Sequence, residues 1–249
     1  MSLLRTQELK KHFGETRAVD GVDFTVNQGE FLSLVGTNGA GKTTLVNLIS
    51  AFLSPDSGRI FIGDRDITHA TAHERIRAGI ARSFQLVNLF DDLTVLDNVA
   101  LAIFARERKT QRIFAIAERD AAVMREASDL LAEFRLGDKS DALAKGLAQG
   151  ERKLLDVAVA YALRPKLLFL DEPTSGVSTR DKAQIMDTVS AVVRGGGITA
   201  VVIEHDMDVV FKYSDRVVVM HEGRFLADGP PEAIRRNSDV AKYLLGTEV

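Results

Sequence analysis

The chain has 249 residues, 45% hydrophobic and 27% charged, a composition that argues against a disordered, collagen-like or coiled-coil protein and leaves ample length for a sizeable core. Lys and Arg total 32 against 35 Asp and Glu, so the net charge of −3 gives no overall pull toward nucleic acid. With no cysteine, disulfides, thiolate zinc sites and cysteine nucleophiles are excluded.

The opening MSLLRTQELKKHFG lacks the apolar stretch and small-residue cleavage site of a signal peptide. No apolar run approaches the about 18–20 residues of a spanning helix, so the chain is expected to reach a membrane only through a partner. Val19, Val22, Phe24 and Val26 fall near a period of two and predict antiparallel strands with one wet face. Phe31–Val35 is then a short strand leading into a Gly-rich turn. Leu45, Leu48, Ile49 and Phe52 follow at helical spacing, with Ser54–Gly58 as the stop signal and Arg59–Ile62 as a returning strand. From about Thr94 to Phe134 the pattern is helical, and Thr94 with Asp97 resembles an N-terminal cap. Arg106–Arg112 is a basic run suited to a solvated helix end or to contact with a partner or anionic headgroups. Lys166–Leu170 and Thr199–Ile203 are nearly all apolar, as in strands buried on both faces of a parallel sheet. Arg216–Met220 and Arg224–Ala227 flank Glu222-Gly223 as a hairpin, and a polar-capped helix is expected near Pro231–Arg236. Strands alternating with helices give an α/β layer fold.

Two segments carry chemistry. Gly36-Thr37-Asn38-Gly39-Ala40-Gly41-Lys42-Thr43 fits G-x-x-x-x-G-K-[ST] between a strand and an amphipathic helix. Backbone N–H groups that curl around phosphate oxygens leave no room for side chains, and the helix that follows aims its positive end at the anion. Lys42 is placed to reach the outer phosphates and the Thr43 hydroxyl to reach Mg²⁺. Further on, the apolar strand Leu167–Leu170 delivers Asp171 and Glu172 to the sheet edge where α/β folds bind ligands. Strand alternation points the two carboxylates apart, Asp171 toward Mg²⁺ and Glu172 toward a water in line with the terminal phosphate.

With these segments in place, the sequence resembles the nucleotide-binding subunit of ATP-binding-cassette (ABC) proteins over nearly its whole length. Ser83-Phe84-Gln85 is similar to the Q-loop, Leu147-Ala148-Gln149-Gly150-Glu151 to the signature, Ser175-Gly176-Val177-Ser178 to the D-loop, and His205 to the switch histidine. The resemblance implies ATP and Mg²⁺ as ligands and an α/β P-loop NTPase (RecA-like) fold. That fold has a mixed sheet, an N-terminal antiparallel β subdomain and a helical subdomain at about 86–163 carrying the signature, all within one domain spanning 1–249. It implies ATP binding by Phe13, Gly36, Asn38, Gly39, Ala40, Gly41, Lys42, Thr43 and Thr44, with Phe13 stacking on adenine. It assigns catalysis to Glu172, His205 and Gln85, and the metal to Thr43, Gln85 and Asp171.

Leu147, Ala148, Gln149, Gly150 and Glu151 would act in trans on the nucleotide of a second ATPase subunit, with Ser178 at the dimer contact. Two departures stand out: Ala148 replaces the signature serine and Ser178 the commonest aspartate. Similar alanines occur in branched-chain amino acid importer ATPases, and Ile203–Met207 and the tail from Asn237 to Gly246 resemble the same LivG-type group. The expected protein is the ATPase of an importer, a homodimer or a heterodimer with a related ATPase. It would sit on two transmembrane permease subunits at the cytoplasmic face of the inner membrane, served indirectly by a periplasmic solute-binding protein, with no nucleic acid partner. Leu86, Val87, Leu89 and Phe90 are a candidate docking edge. The alternatives are the ATPase of a lipid or lipopolysaccharide exporter and a soluble ABC ATPase outside transport.

Overall fold

The computed structural model describes residues 1–83, 89–107 and 120–245. Its middle layer is a six-stranded sheet in the order β11-β10-β4-β9-β8-β7. These strands are β4 (Phe31–Val35), β7 (Ile80–Arg82), β8 (Leu167–Asp171), β9 (Thr199–Ile203), β10 (Arg216–His221) and β11 (Arg224–Gly229). All neighbours are parallel except the expected β10–β11 hairpin. Every residue of β4, β8 and β9 is buried, which is why these segments read as continuous apolar runs.

Alternate residues on these strands serve two different cores. Phe31, Leu168, Leu170, Ala200 and Val202 face a cluster built with the helices α3 (Val95–Arg106), α4 (Ala121–Glu133), α5 (Gln149–Ala162) and α6 (Thr179–Gly195). Leu32, Leu34, Phe169, Val201 and Ile203 face the opposite cluster, shared with α1 (Lys42–Ile49) and an antiparallel sheet. That second sheet contains β1 (Ser2–Phe13), β2 (Thr16–Val22), β3 (Thr25–Asn27), β5 (Ser57–Ile62) and β6 (Arg65–Asp66). Val19, Val22, Phe24 and Val26 are its buried face, as their alternation predicts. The long central strand β1 departs from simple alternation because its register shifts around Glu8, which has φ 47°, so Thr6 and Leu9 are both buried.

The remaining α-helices are α2 (Ala72–Arg77), α7 (Met207–Tyr213), α8 (Pro231–Arg235) and α9 (Ser238–Val240). Thr94 caps α3 as expected, accepting from the Asp97 amide at 3.0 Å. Two boundaries differ from the sequence reading. Helix α1 stops at Ile49, because Ala51 takes a left-handed φ of 64°, and Phe52 turns outward at 57% exposure instead of joining the apolar face. Helix α8 follows Pro230 and has no side-chain cap, since proline at its first position already presets the helical φ. Among the described residues, no helix is long and apolar enough to cross a membrane.

Candidate active site

The loop Gly36–Gly41 leaves β4 and enters α1. A Cβ at Gly36 would fall 2.2 Å from the Met220 carbonyl oxygen. Gly41, at φ 105°, would bring one to 2.1 Å from the Ala18 carbonyl oxygen. Both positions therefore require glycine on steric grounds. The Gly223 amide donates to the Ala40 carbonyl at 3.0 Å and the Asp20 amide to the Gly223 carbonyl at 2.9 Å. The loop is thus clamped between the antiparallel sheet and the β10–β11 turn. Lys42 is buried, and its ammonium donates to the carbonyls of Gly36 and Thr37 at 2.7 and 3.0 Å. Burial pushes its pKa down, while the carboxylates of Glu172 and then Asp171 oppose that shift. Asn38, Gly39 and Thr43 are exposed, Thr44 is half-buried and Ala40 buried, so the rim of the loop faces outward.

Asp171 ends β8 and is 5% exposed. One of its oxygens, Oδ2, accepts from Arg82 Nη2 at 2.6 Å. Glu172 does not continue the strand: its φ is 48°, and this left-handed step, not strand alternation, separates the two carboxylates. Glu172 Oε1 lies 2.7 Å from Nε2 of His205, just beyond β9. Four hydrogen bonds surround this pair. The Lys153 ammonium donates to the Glu172 carbonyl at 3.2 Å. The buried Glu204 accepts from the amide and hydroxyl of Thr174 at 3.0 and 2.7 Å. Glu204 also accepts from the His205 amide at 3.2 Å. The structure therefore brings Lys42, Asp171, Glu172 and His205 to one edge of the parallel sheet.

Leu147–Glu151 lie elsewhere. Ala148 occupies the N-cap of α5 with extended backbone, and its amide donates to Glu151 Oε2 at 2.9 Å. Gln149 packs on Gly176, where a Cβ would fall 2.3 Å from its Nε2. Among the described residues, no hydrogen bond or ion pair joins 147–151 to the Gly36–Thr44 loop. Ser178 caps α6, accepting from the Asp181 amide at 3.3 Å and donating to its carboxylate at 2.7 Å.

The family model for ABC transporters matches residues 19–175. The chain belongs to the ABC transporter family. A high-affinity branched-chain amino acid transport ATP-binding protein, BraF of Pseudomonas aeruginosa, is 35% identical, with 98% of each chain covered. A probable branched-chain amino acid transport ATP-binding protein, LivG of Methanocaldococcus jannaschii, is 34% identical over 95% of this chain and 93% of its own. The crystal structure of an ATP-binding cassette of an ABC transporter in its ADP conformation superimposes with a TM-score of 0.86. It is 31% identical, and the match covers 99% of this chain and 100% of that one. The fold is that of the ABC cassette: an α/β P-loop NTPase with a mixed sheet, an antiparallel β sheet and a set of helices carrying the signature.

In this ABC chain Phe13 ends β1 and is 50% exposed, with the Lys11 ammonium 5.7 Å from its ring centre. Gln85, Leu86 and Val87 lie outside the described residues; Leu89 packs against the helical core and Phe90 is exposed. Of the basic run, Arg106 is within the described residues, and it is structural: it donates to Glu126 at 2.7 and 2.8 Å and to the Ala162 carbonyl at 2.9 Å. Rest of the run, 108–112, lies outside them.

The donor set fits Mg²⁺ in company with a phosphate. No group of three or more His, Asp or Glu among the described residues could hold a metal by itself. The hydroxyl of the exposed Thr43 and the Asp171 carboxylate, whose Oδ1 carries no hydrogen bond among the described residues, are hard oxygen donors. Mg²⁺ commonly takes one or two protein oxygens and completes its shell with water and substrate phosphates. Sequence reasoning missed Arg82, Lys153, Glu204 and Thr174. The available signal was a charge set into an apolar segment: Arg82 ends a strand, and Lys153 precedes Leu154 and Leu155 on a buried helix face.

Proposed function

We propose that this chain is the ATP-hydrolysing subunit of an ABC importer for branched-chain amino acids or related small polar solutes. The observation that carries the reading is the buried Lys42 ammonium, held by loop carbonyls at the sheet edge where Asp171 and the Glu172–His205 pair end. The loop amides and the N-terminus of α1 bind the phosphates, and Lys42 exchanges its carbonyl partners for phosphate oxygens. Phe13 supplies an exposed ring for the base. Thr43 and Asp171 would hold Mg²⁺, which would neutralise phosphate charge. Glu172 orients and deprotonates the attacking water, and His205 fixes the Glu172 carboxylate and reaches the terminal phosphate. Gln85 is assigned to the metal and the water by family likeness.

The signature residues 147–151 are separate from their own cradle, which supports their acting on a second subunit's nucleotide, with the D-loop at Ser178 alongside. ATP that bridges both subunits stabilises the closed pair over the open one, and hydrolysis removes that preference. An apolar groove of about 230 Å³, lined by Phe52, Ile76, Ile80, Val159 and Leu163, supports docking of a permease segment at the cytoplasmic face of the membrane. The test is purification of the native complex. Two hydrophobic permease chains should accompany this ATPase, and phosphate release should rise with a solute-loaded binding protein. A chain that purifies free of permeases and hydrolyses ATP without response to solute overturns the importer reading.

A further inference from the structure

The two oxygen ligands proposed for the metal stand on different elements, Thr43 on α1 and Asp171 at the end of β8. One side chain spans the gap. Arg82 ends the edge strand β7, which pairs in parallel with β8. Its Nη2 donates to Asp171 Oδ2 at 2.6 Å and its Nη1 to Asn47 Oδ1 at 2.6 Å, with Ser50 Oγ at 3.4 Å. Asn47 belongs to α1 and Ser50 caps its end. The Arg82 and Asp171 side chains are 8% and 6% exposed, so the contact is protected from solvent.

We propose that Arg82 is a positioning residue that braces Asp171 against α1 and so sets the distance between the two ligand oxygens. The inference rests on the nucleotide-site reading above. An aspartate turns broadly about its terminal torsion, and a guanidinium that fixes one oxygen aims the other. The planar fork of arginine bonds two acceptors on separate elements at once; an ammonium in its place has neither that reach nor that geometry. Arg82 is also among the residues lining the apolar groove, with its guanidinium carbon 5.8 Å from the ring centre of Phe52, another lining residue.

The experiment measures binding of a fluorescent, non-hydrolysable ATP analogue to the full chain in EDTA and in MnCl₂, with bound Mn²⁺ read by electron paramagnetic resonance. The quantity is the gain in affinity that the metal confers. Arg82→Met should cut that gain by about tenfold or more, the usual cost of removing a group that holds a metal ligand. Affinity in EDTA should stay within about twofold, since the loop contacts the phosphates without Arg82. Arg82→Lys should recover part of the gain. Asp171→Asn should abolish it, and adding Arg82→Met to that variant should cost nothing more. Should Arg82→Met fail to fold, Asn47→Ala decides: it leaves the buried ion pair intact, removes the shorter of the two contacts to α1 and should lower the same gain. A metal-dependent gain within about twofold of the unmodified chain in Arg82→Met, or in Asn47→Ala if it alone folds, overturns the brace while leaving the site intact. An unmodified chain that binds the analogue without any metal gain overturns the metal-site reading and the brace with it.

Discussion

Replacing Glu172 with glutamine removes one negative charge and little else. The amide keeps an oxygen for His205 at the 2.7 Å position, and the backbone contact from Lys153 is untouched. The Gly36–Gly41 loop is held by Ala18, Asp20, Met220 and Gly223, none of which touches the altered group. The cost therefore falls on proton removal from water. A positioned general base contributes about 10²–10⁴-fold, and at about 1.4 kcal/mol per decade this is about 2.7–5.5 kcal/mol of the barrier. Phosphate release by Glu172→Gln should fall by that factor, with nucleotide still bound and dimers persisting in ATP on size exclusion. Lys42 loses the first of the two carboxylates that oppose the downward push of burial on its pKa, so affinity should weaken slightly toward alkaline pH, as its ammonium gives up its proton sooner. Turnover within about threefold of the unmodified chain would refute the base assignment. Loss of nucleotide binding equal to the loss of turnover would refute the separation of cradle from chemistry.

Three further outcomes follow from other parts of the structure. Lys42→Ala removes a charge-assisted contact worth about 1.5–3 kcal/mol, so nucleotide affinity should drop about 10- to 150-fold by fluorescence titration. Ala148→Ser places a hydroxyl at the N-cap of α5, where extended backbone already suits a cap, and should raise stability by about 0.5–2 kcal/mol in thermal unfolding. A large accompanying rise in turnover would show that the natural alanine limits the signature. The hydrogen bonds from Arg106 hold the Glu126 carboxyl below its ordinary value of 4.5. That stabilisation is fully present above the ordinary value and is lost as pH falls through the lowered one. Denaturant titrations should therefore find Glu126→Gln less stable than the unmodified chain at pH 7 and nearly equal to it in strong acid.

The cradle was legible because it is contiguous: a run of glycines forced by backbone approach, a lysine, and a helix to follow. The buried strands β4, β8 and β9 were legible for a related reason, since burial on two faces leaves an unbroken apolar string. Legibility failed wherever the backbone changes hand. Glu8 slips the register of β1 and hides its alternation, Ala51 ends α1 before Phe52, and Glu172 leaves the geometry of the strand that precedes it. Helix α6 was passed over although Ile185, Val189, Val192 and Val193 share a buried face. The pairing of Glu172 with His205 joins residues 33 apart; family likeness gave each a catalytic role but did not pair them. The Arg82 contact with Asp171 joins residues 89 apart in a segment with no motif of its own.

The clamp on the phosphate loop has a consequence for synthesis. Residues near 18–20, 36–41 and 220–223 must meet before the loop is held from both sides. A nascent chain emerges amino end first, so its anion-binding turn waits, half supported, while most of the polypeptide is made. ATP can assist as a late ligand that favours the finished conformation, and a ribosome stalled short of Gly223 should hold a product unable to retain it.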